Sequence, residues 1–291
     1  MENMNNSGIR LDVIGGALSY IDQASIGTRY LFETISSFVF TLFSLLTASL
    51  TMAFFETQIA VLVVPLVTAL VFYVAMNAFG KLSGGFVNPL LTLLYAFRKT
   101  IAPLDAFFLV IFEFIGAFLA TTIVYIILPS NSSFPKSKWF ELTAPGFGSS
   151  SPVSKFFNSS DLEFSTTVII ILHAVIFFLL IFSTTTIKKA SEYNPQLELV
   201  PFTIFTGIAL VPSVLLSGSS FNPARDIAAA VFGSFTDRNS NLVYADGIVL
   251  RSIYISLASL IVVGIVCTLE FPGRQSKQVV AKHQKKSSIN Q

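Results

Sequence analysis

Two stretches of this 291-residue chain place an asparagine and a proline directly after small, flexible residues. Ser83–Leu90 reads Ser-Gly-Gly-Phe-Val-Asn-Pro-Leu, and Ser217–Asp226 reads Ser-Gly-Ser-Ser-Phe-Asn-Pro-Ala-Arg-Asp. Asn is a preferred helix N-cap and Pro is favoured at the first helical position, so each motif predicts a loop that becomes a short helix at Asn88 or Asn222. The available chemistry is hydrogen bonding, with amide donors, carbonyl acceptors and electropositive helix N-termini. A single Asn-Pro often marks only a turn, but two copies half a chain apart favour a paired site.

The composition indicates a membrane protein. Hydrophobic residues make up 53% of the chain and charged residues only 12%, whereas soluble domains have roughly 25% charged residues. The net charge of +2 gives no reason to expect nucleic-acid binding. Cys267 is the only cysteine, and the two histidines, His173 and His283, lie in unrelated settings. The sequence therefore predicts no metal site, no cofactor and no enzymatic activity.

Six apolar segments are long enough to cross a bilayer, which requires about 20 mostly apolar residues. They are Leu31–Thr51, Ile59–Phe79, Leu104–Leu128, Phe164–Ile187, Leu199–Leu216 and Gly247–Leu269. The runs after the two motifs, Pro89–Phe97 and Pro223–Phe232, are long enough for only about half the membrane. The order span, span, half-span, span occurs twice, and an odd number of spans reverses the second half. We therefore predict an all-α membrane protein with six transmembrane helices and two half-helices in an inverted internal repeat, as in many transport proteins.

The spans also predict the domain organisation. A channel-forming domain over 29–271 divides into the following parts: repeat one at about 29–128, a loop over 129–163 and repeat two at about 164–271. Lys and Arg are more frequent near the span ends on the side of the termini, so tails 1–28 and 272–291 are expected in the cytoplasm. The loop then lies outside the cell, with candidate glycosylation sites at Asn131 and Asn158, and the plasma membrane is the expected location.

The two Asn-Pro motifs in inverted halves, with Arg225 completing Asn-Pro-Ala-Arg, resemble the aquaporin (major intrinsic protein) family over roughly 29–271. The first motif departs from the family pattern because Leu90 stands where Ala is usual. A leucine there either narrows the centre of the pore or pushes a half-helix outward. The resemblance implies a central pore site built from the following residues: Asn88, Pro89, Leu90, Asn222, Pro223 and Ala224.

By the same resemblance, counting from the motifs implies an outer constriction formed by Thr68, Leu210, Ser219 and Arg225. Strict water channels of the family resemble one another in having an aromatic residue and a histidine there, and this sequence has neither. Asp226 resembles glycerol-conducting members, whereas Ala230 is closer to water-conducting ones. We expect a constriction that is less polar and wider than in a strict water channel.

Intramembrane polar residues are candidates for supporting the two loops. Glu33 resembles a buried family glutamate that accepts hydrogen bonds from the first loop, although an ordinary interface glutamate is the alternative. The matching residue in the fourth span is Ile170, so His173, one turn away, is expected to hold the second loop. Glu113 is expected to anchor packing in the third span. Gly116 and Gly207 are expected at close helix crossings.

The resemblance implies a passive channel for water and small neutral solutes, such as glycerol or urea, that excludes protons and ions. It also implies a homotetramer in the lipid bilayer with one pore per subunit. Two other functions stay open from the residues alone. One is a structural or junctional member whose pore is shut, and the other is a proton-coupled transporter that uses Glu33, Glu113 and His173.

Three serines lie in basic segments that are expected in the cytoplasm: Ser191, Ser276 and Ser287. The basic neighbours are typical of phosphorylation sites. The alternative interpretation is a positively charged face that only follows the positive-inside rule.

Overall fold

The computed structural model describes residues 25–54, 57–97, 101–141, 143–145, 165–191, 199–235, 258–262 and 264–265. All regular secondary structure within these ranges is helical, as predicted. The helices are, in chain order, α1 (Ile26–Phe54), α2 (Thr57–Ser83), α3 (Pro89–Phe97), α4 (Pro103–Ile127), α5 (Lys136–Glu141), α6 (Thr166–Ser191), α7 (Leu199–Ser217) and α8 (Pro223–Phe235). Residues 258–262 and 264–265, in the predicted last span, are helical as well.

Three of the described helices are long and apolar enough to cross a membrane: α1, α4 and the part of α2 over Leu62–Gly80. Shorter apolar segments, Thr166–Leu179 and Thr203–Ser217, lie in α6 and α7. The outward faces of these helices carry exposed apolar side chains. On α2, Leu62 and Leu66 are one turn apart, and their exposed fractions are 65% and 59%. Such a face is suited to lipid and not to water.

The two half-helices begin at the prolines of the motifs. The nine residues of α3 rise about 14 Å, roughly half the thickness of a bilayer core. Helix α8 has 13 residues and continues three residues beyond the predicted end, to Phe235. Both half-helices pack against α4, so this helix contacts the two motif regions.

Helices α1 and α4 cross at Gly116, as expected. A Cβ atom at Gly116 would lie 3.0 Å from the backbone nitrogen of Phe38 and 3.1 Å from Cβ of Ser37, and it would also contact the carbonyl oxygen of Thr34. The Ser37 hydroxyl donates to the carbonyl oxygen of Glu113 at 2.7 Å across the same contact. Gly207 on α7 is the second crossing, since its Cβ would lie 3.3 Å from that of Ala69 on α2.

The predicted loop over 129–163 contains a helix that the sequence analysis did not predict. Helix α5 is anchored by Trp139, whose indole N–H donates to the carbonyl oxygen of Pro129 at 2.7 Å. Its Phe140 ring lies 5.9 Å from the ring of Phe232 on α8. A Cβ atom at Gly233 would lie 3.1 Å from Cβ of Phe140, so α5 and α8 are in close contact.

Candidate functional site

The two motif loops have positive φ angles at two matching positions. Gly84 and Gly218 have positive φ angles of 112° and 72°. The residue before each asparagine is also left-handed, with φ of 58° at Val87 and 56° at Phe221. Positive φ is rare for residues with a bulky or β-branched side chain, so its presence at matching positions indicates that both loops are held by surrounding contacts.

Each asparagine caps the half-helix that follows it. Asn88 Oδ1 accepts the backbone N–H of Leu90 at 2.9 Å, and Asn222 Oδ1 accepts that of Ala224 at 3.1 Å. The first residues of a helix have backbone N–H groups without an intrahelical acceptor. Proline has no backbone N–H, so Pro89 and Pro223 suit the first helical position. These local bonds follow directly from the motif sequences.

The two motifs meet through reciprocal hydrogen bonds. Asn88 Nδ2 donates to the carbonyl oxygen of Phe221 at 2.8 Å, and Asn222 Nδ2 donates to that of Val87 at 2.8 Å. Each carboxamide has two N–H groups, so one remains on each asparagine after this contact. The N-termini of α3 and α8 are thereby brought together, and each contributes about half a positive charge.

The first loop is held by two buried acids. Glu33 on α1 accepts the backbone N–H of Val87 through Oε1. Glu113 on α4 accepts the Thr92 hydroxyl at 2.7 Å, also through Oε1. Both acids are fully buried. The extended loop is therefore attached to α1, and half-helix α3 is attached to α4.

The second loop is held through His173 on α6. Its Nδ1 donates to the carbonyl oxygen of Ile169 at 2.8 Å. Its Nε2 lies 3.0 Å from the hydroxyl oxygens of both Ser213 and Ser217. The Ser213 hydroxyl also donates to the carbonyl oxygen of Ser219 at 2.8 Å. His173 thus reaches the loop through serines that the sequence analysis did not single out.

Asp226 is the centre of the hydrogen bonding in the second motif. Its carboxylate accepts the hydroxyl groups of Ser219 and Ser220, both at 2.7 Å, and the backbone N–H of Ser220 at 3.0 Å. Nη1 of Arg225 donates to Asp226 Oδ1 and to the carbonyl oxygen of Thr143, each at 2.9 Å. The arginine is 2% exposed, so these acceptors set its position.

The four residues of the predicted outer constriction are all buried, with Thr68 on α2 and Leu210 on α7. The structure brings Ser219 and Arg225 together, because both bond to Asp226. Among the described residues, no hydrogen bond joins Thr68 to these side chains. Leu210 belongs instead to a buried apolar cluster that also contains Leu90, Leu94, Ile176, Phe177, Ala209 and Phe221.

Leu90 packs into this cluster while both asparagine contacts stay at 2.8 Å. Replacing Leu90 with alanine removes apolar contacts from a side chain that is 2% exposed. We expect Leu90→Ala to lower the free energy of unfolding by about 2–5 kcal/mol, which thermal melting in detergent would detect. Leu91→Ala, at a half-buried neighbour, is the control and should have a smaller effect. Equal melting temperatures for the two variants would contradict the packing role of Leu90.

Of the candidate modification sites, only Asn131 has a described side chain. Asn131 is exposed, and its Oδ1 accepts the backbone N–H groups of Ser133 and Phe134 at 3.0 and 2.7 Å. Ser191 is the last residue of α6, and its side chain lies outside the described residues. Asn158, Ser276 and Ser287 also lie outside them.

Two half-helices that meet among apolar helices, with amide N–H groups at their junction, are typical of membrane transport proteins. The family model for the major intrinsic protein matches residues 21–271. The chain belongs to the major intrinsic protein family, and it is therefore an integral multi-pass membrane protein. Members of this family are channels and not enzymes.

The fold is similar to a solved structure of the same class. The X-ray structure of the aquaglyceroporin from Plasmodium falciparum superposes with a TM-score of 0.61 and 14% sequence identity. The match covers 84% of this chain and 95% of that one. No curated protein matches the chain.

Proposed function

We propose that this protein is a passive channel for water and small neutral solutes, such as glycerol or urea, and that it excludes protons and ions. The observation that carries the proposal is the reciprocal contact of Asn88 and Asn222, which uses one N–H of each amide. The remaining N–H groups are suited to donate to the oxygen of a permeant at the junction of the half-helices. This mechanism is selective solvation, in which no covalent bond is made or broken.

The electrostatics of the junction favour neutral permeants. The N-termini of α3 and α8 are both electropositive and both lie at the same point, so they oppose a cation. A water molecule whose oxygen accepts hydrogen bonds from both asparagines points its hydrogens away from the centre. This orientation interrupts proton transfer along a single-file chain of water molecules. Arg225 adds a positive charge in the second motif, where Asp226 is its ion-pair partner at 2.9 Å.

We also propose the full architecture on which this pore depends. It consists of six spans and two half-helices in inverted repeats, with a homotetramer as the assembly and one pore per subunit. Matching positive φ angles at Val87 and Phe221 support the repeat. The distribution of Lys and Arg supports cytoplasmic termini. The plasma membrane is the proposed location because the candidate glycosylation sites then lie outside the cell.

Stopped-flow shrinkage of proteoliposomes tests the function. An osmotic gradient of an impermeant solute measures water flux, and gradients of glycerol and urea measure solute flux. We expect water flux above that of empty liposomes, without saturation and without dependence on a pH gradient. Flux equal to that of empty liposomes would contradict the proposal and favour a shut pore. Saturable flux driven by a pH gradient would favour a coupled transporter.

Arg225→Val removes the positive charge from the proposed constriction. Asp226 then loses its ion-pair partner, but its hydrogen bonds to Ser219 and Ser220 still hold the loop. We expect water flux to persist at a reduced level and the leak of protons or monovalent cations to rise about tenfold or more, which corresponds to a barrier lowered by ~1.4 kcal/mol. A pH-sensitive dye inside the liposomes measures the leak. Arg225→Lys keeps the charge and is the control. If both variants leak equally, then the charge of Arg225 does not exclude cations.

A further inference from the structure

Glu33 and Glu113 form a pair of buried acids at the interface of α1 and α4. Neither side chain is exposed to solvent. Oε1 of each acid has a donor, but among the described residues Oε2 of Glu33 and Oε2 of Glu113 have none. Glu33 lies one turn before Ser37 on α1, and the Ser37 hydroxyl donates to the Glu113 carbonyl oxygen at 2.7 Å, so the two acids meet at the same contact between α1 and α4. Two ionised carboxylates in this position would leave both oxygens unpaired and facing a like charge.

The charged groups around the pair do not compensate a second negative charge. Arg29 lies one turn before Glu33 on α1, but its Nη2 forms an ion pair with Asp105 at 2.9 Å. The Tyr30 hydroxyl donates to Asp105 at 2.9 Å and belongs to the same group. Like charges in contact within a membrane interior cannot both remain ionised without a counter-ion.

We propose that Glu113 holds a proton and donates it in a hydrogen bond to the carboxylate of Glu33. A proton on Oε2 of Glu113 gives both unpaired oxygens a partner and leaves Oε1 to accept the Thr92 hydroxyl. Glu33 is the ionised member because its partner, the backbone N–H of Val87, can only donate. The partner of Glu113 is the Thr92 hydroxyl, which can donate or accept and therefore suits a protonated acid.

The shared hydrogen bond makes the two acids one positioning unit for the first motif. Through Glu33 the unit holds Val87, whose carbonyl oxygen accepts Nδ2 of Asn222 at 2.8 Å. Through Glu113 it holds Thr92 in the first turn of α3. The unit therefore fixes the loop and the half-helix relative to each other and, one bond further, to the second motif.

Glu113→Gln is the decisive variant. Glutamine is neutral, and its amide oxygen can accept the Thr92 hydroxyl while its N–H donates to Glu33. We expect its melting temperature in detergent to lie within about 2 °C of the wild type, whereas Glu113→Leu should lower it by about 5 °C or more.

Infrared difference spectroscopy detects the proton itself. The spectrum of the wild type minus that of Glu113→Gln should contain the C=O stretch of a protonated carboxylic acid, which a purely structural role would not produce. The absence of that band, or a Glu113→Gln variant as unstable as Glu113→Leu, would overturn the proposal. Neither readout requires conduction, so this inference and the proposed channel function can fail independently.

Discussion

Replacing Asp226 with leucine is expected to abolish conduction, because the second motif loses the group that organises it. The carboxylate of Asp226 accepts hydrogen bonds from Ser219 and Ser220 and forms an ion pair with Arg225 at 2.9 Å. All of these groups are buried, so leucine would leave three donors and a guanidinium without their acceptor. Removing one partner of a buried ion pair destabilises proteins by roughly 3–5 kcal/mol.

Asp226→Asn provides the matched comparison, since it keeps the size of the side chain and one acceptor oxygen. We expect its melting temperature and water flux to lie between those of the wild type and Asp226→Leu. Thermal melting in detergent and stopped-flow shrinkage of proteoliposomes measure the two properties. Water flux of Asp226→Leu equal to that of the wild type would show that the second loop keeps its conformation without this carboxylate.

The two motifs have similar loops but support them differently. Thr92 and Asp226 occupy equivalent positions, since each backbone N–H donates to the carbonyl oxygen of its capping asparagine, at 3.0 and 2.9 Å. In the second half, Asp226 supplies the carboxylate from the half-helix itself. In the first half, the equivalent residue is a hydroxyl donor, and the carboxyl group that accepts its hydrogen bond belongs to Glu113 on α4. In each half-helix, the equivalent position in the first turn therefore carries a buried carboxyl group or bonds to one.

The sequence could predict the parts of this site that depend on local chemistry. The caps at Asn88 and Asn222 and the starts of α3 and α8 at proline follow from residues within a few positions of one another. The family resemblance also pointed from Glu33 to the first loop, and the spacing of His173 from Ile170 pointed to the second. Their actual contacts, with Val87 and with a pair of serines, required the structure.

The remaining contacts could not be predicted because they join distant parts of the chain. Thr143 bonds to Arg225 across 82 residues, from a segment that has the composition of an ordinary loop. The environment of Leu90 depends on α6 and α7, which supply Ile176 and Leu210 to its cluster. A residue type alone does not indicate which of several apolar neighbours it will contact, so neither alternative for Leu90 could be chosen from the sequence.

Substitutions at three glycines test how far the pore depends on the close spacing of its helices. Gly116→Ala is expected to lower the free energy of unfolding by about 1–3 kcal/mol, and Gly116→Leu by more, because the new side chain meets backbone atoms of α1. Gly207→Ala meets only Cβ of Ala69 at 3.3 Å and should have a smaller effect. Gly27→Ala is the control, since no described atom lies within 4 Å of its Cβ position.

Conduction should fall in the same order as stability. Gly116 lies on α4 one turn from Glu113, and the close approach of α1 at this glycine brings Glu33 to the same interface. Separating the two helices would part the acids that hold the first loop and α3, and the contact between Asn88 and the second motif depends on both. Thermal melting and stopped-flow water flux of the four variants measure the two orders. A Gly116→Leu protein that melts and conducts like the wild type would show that the pore does not depend on this crossing.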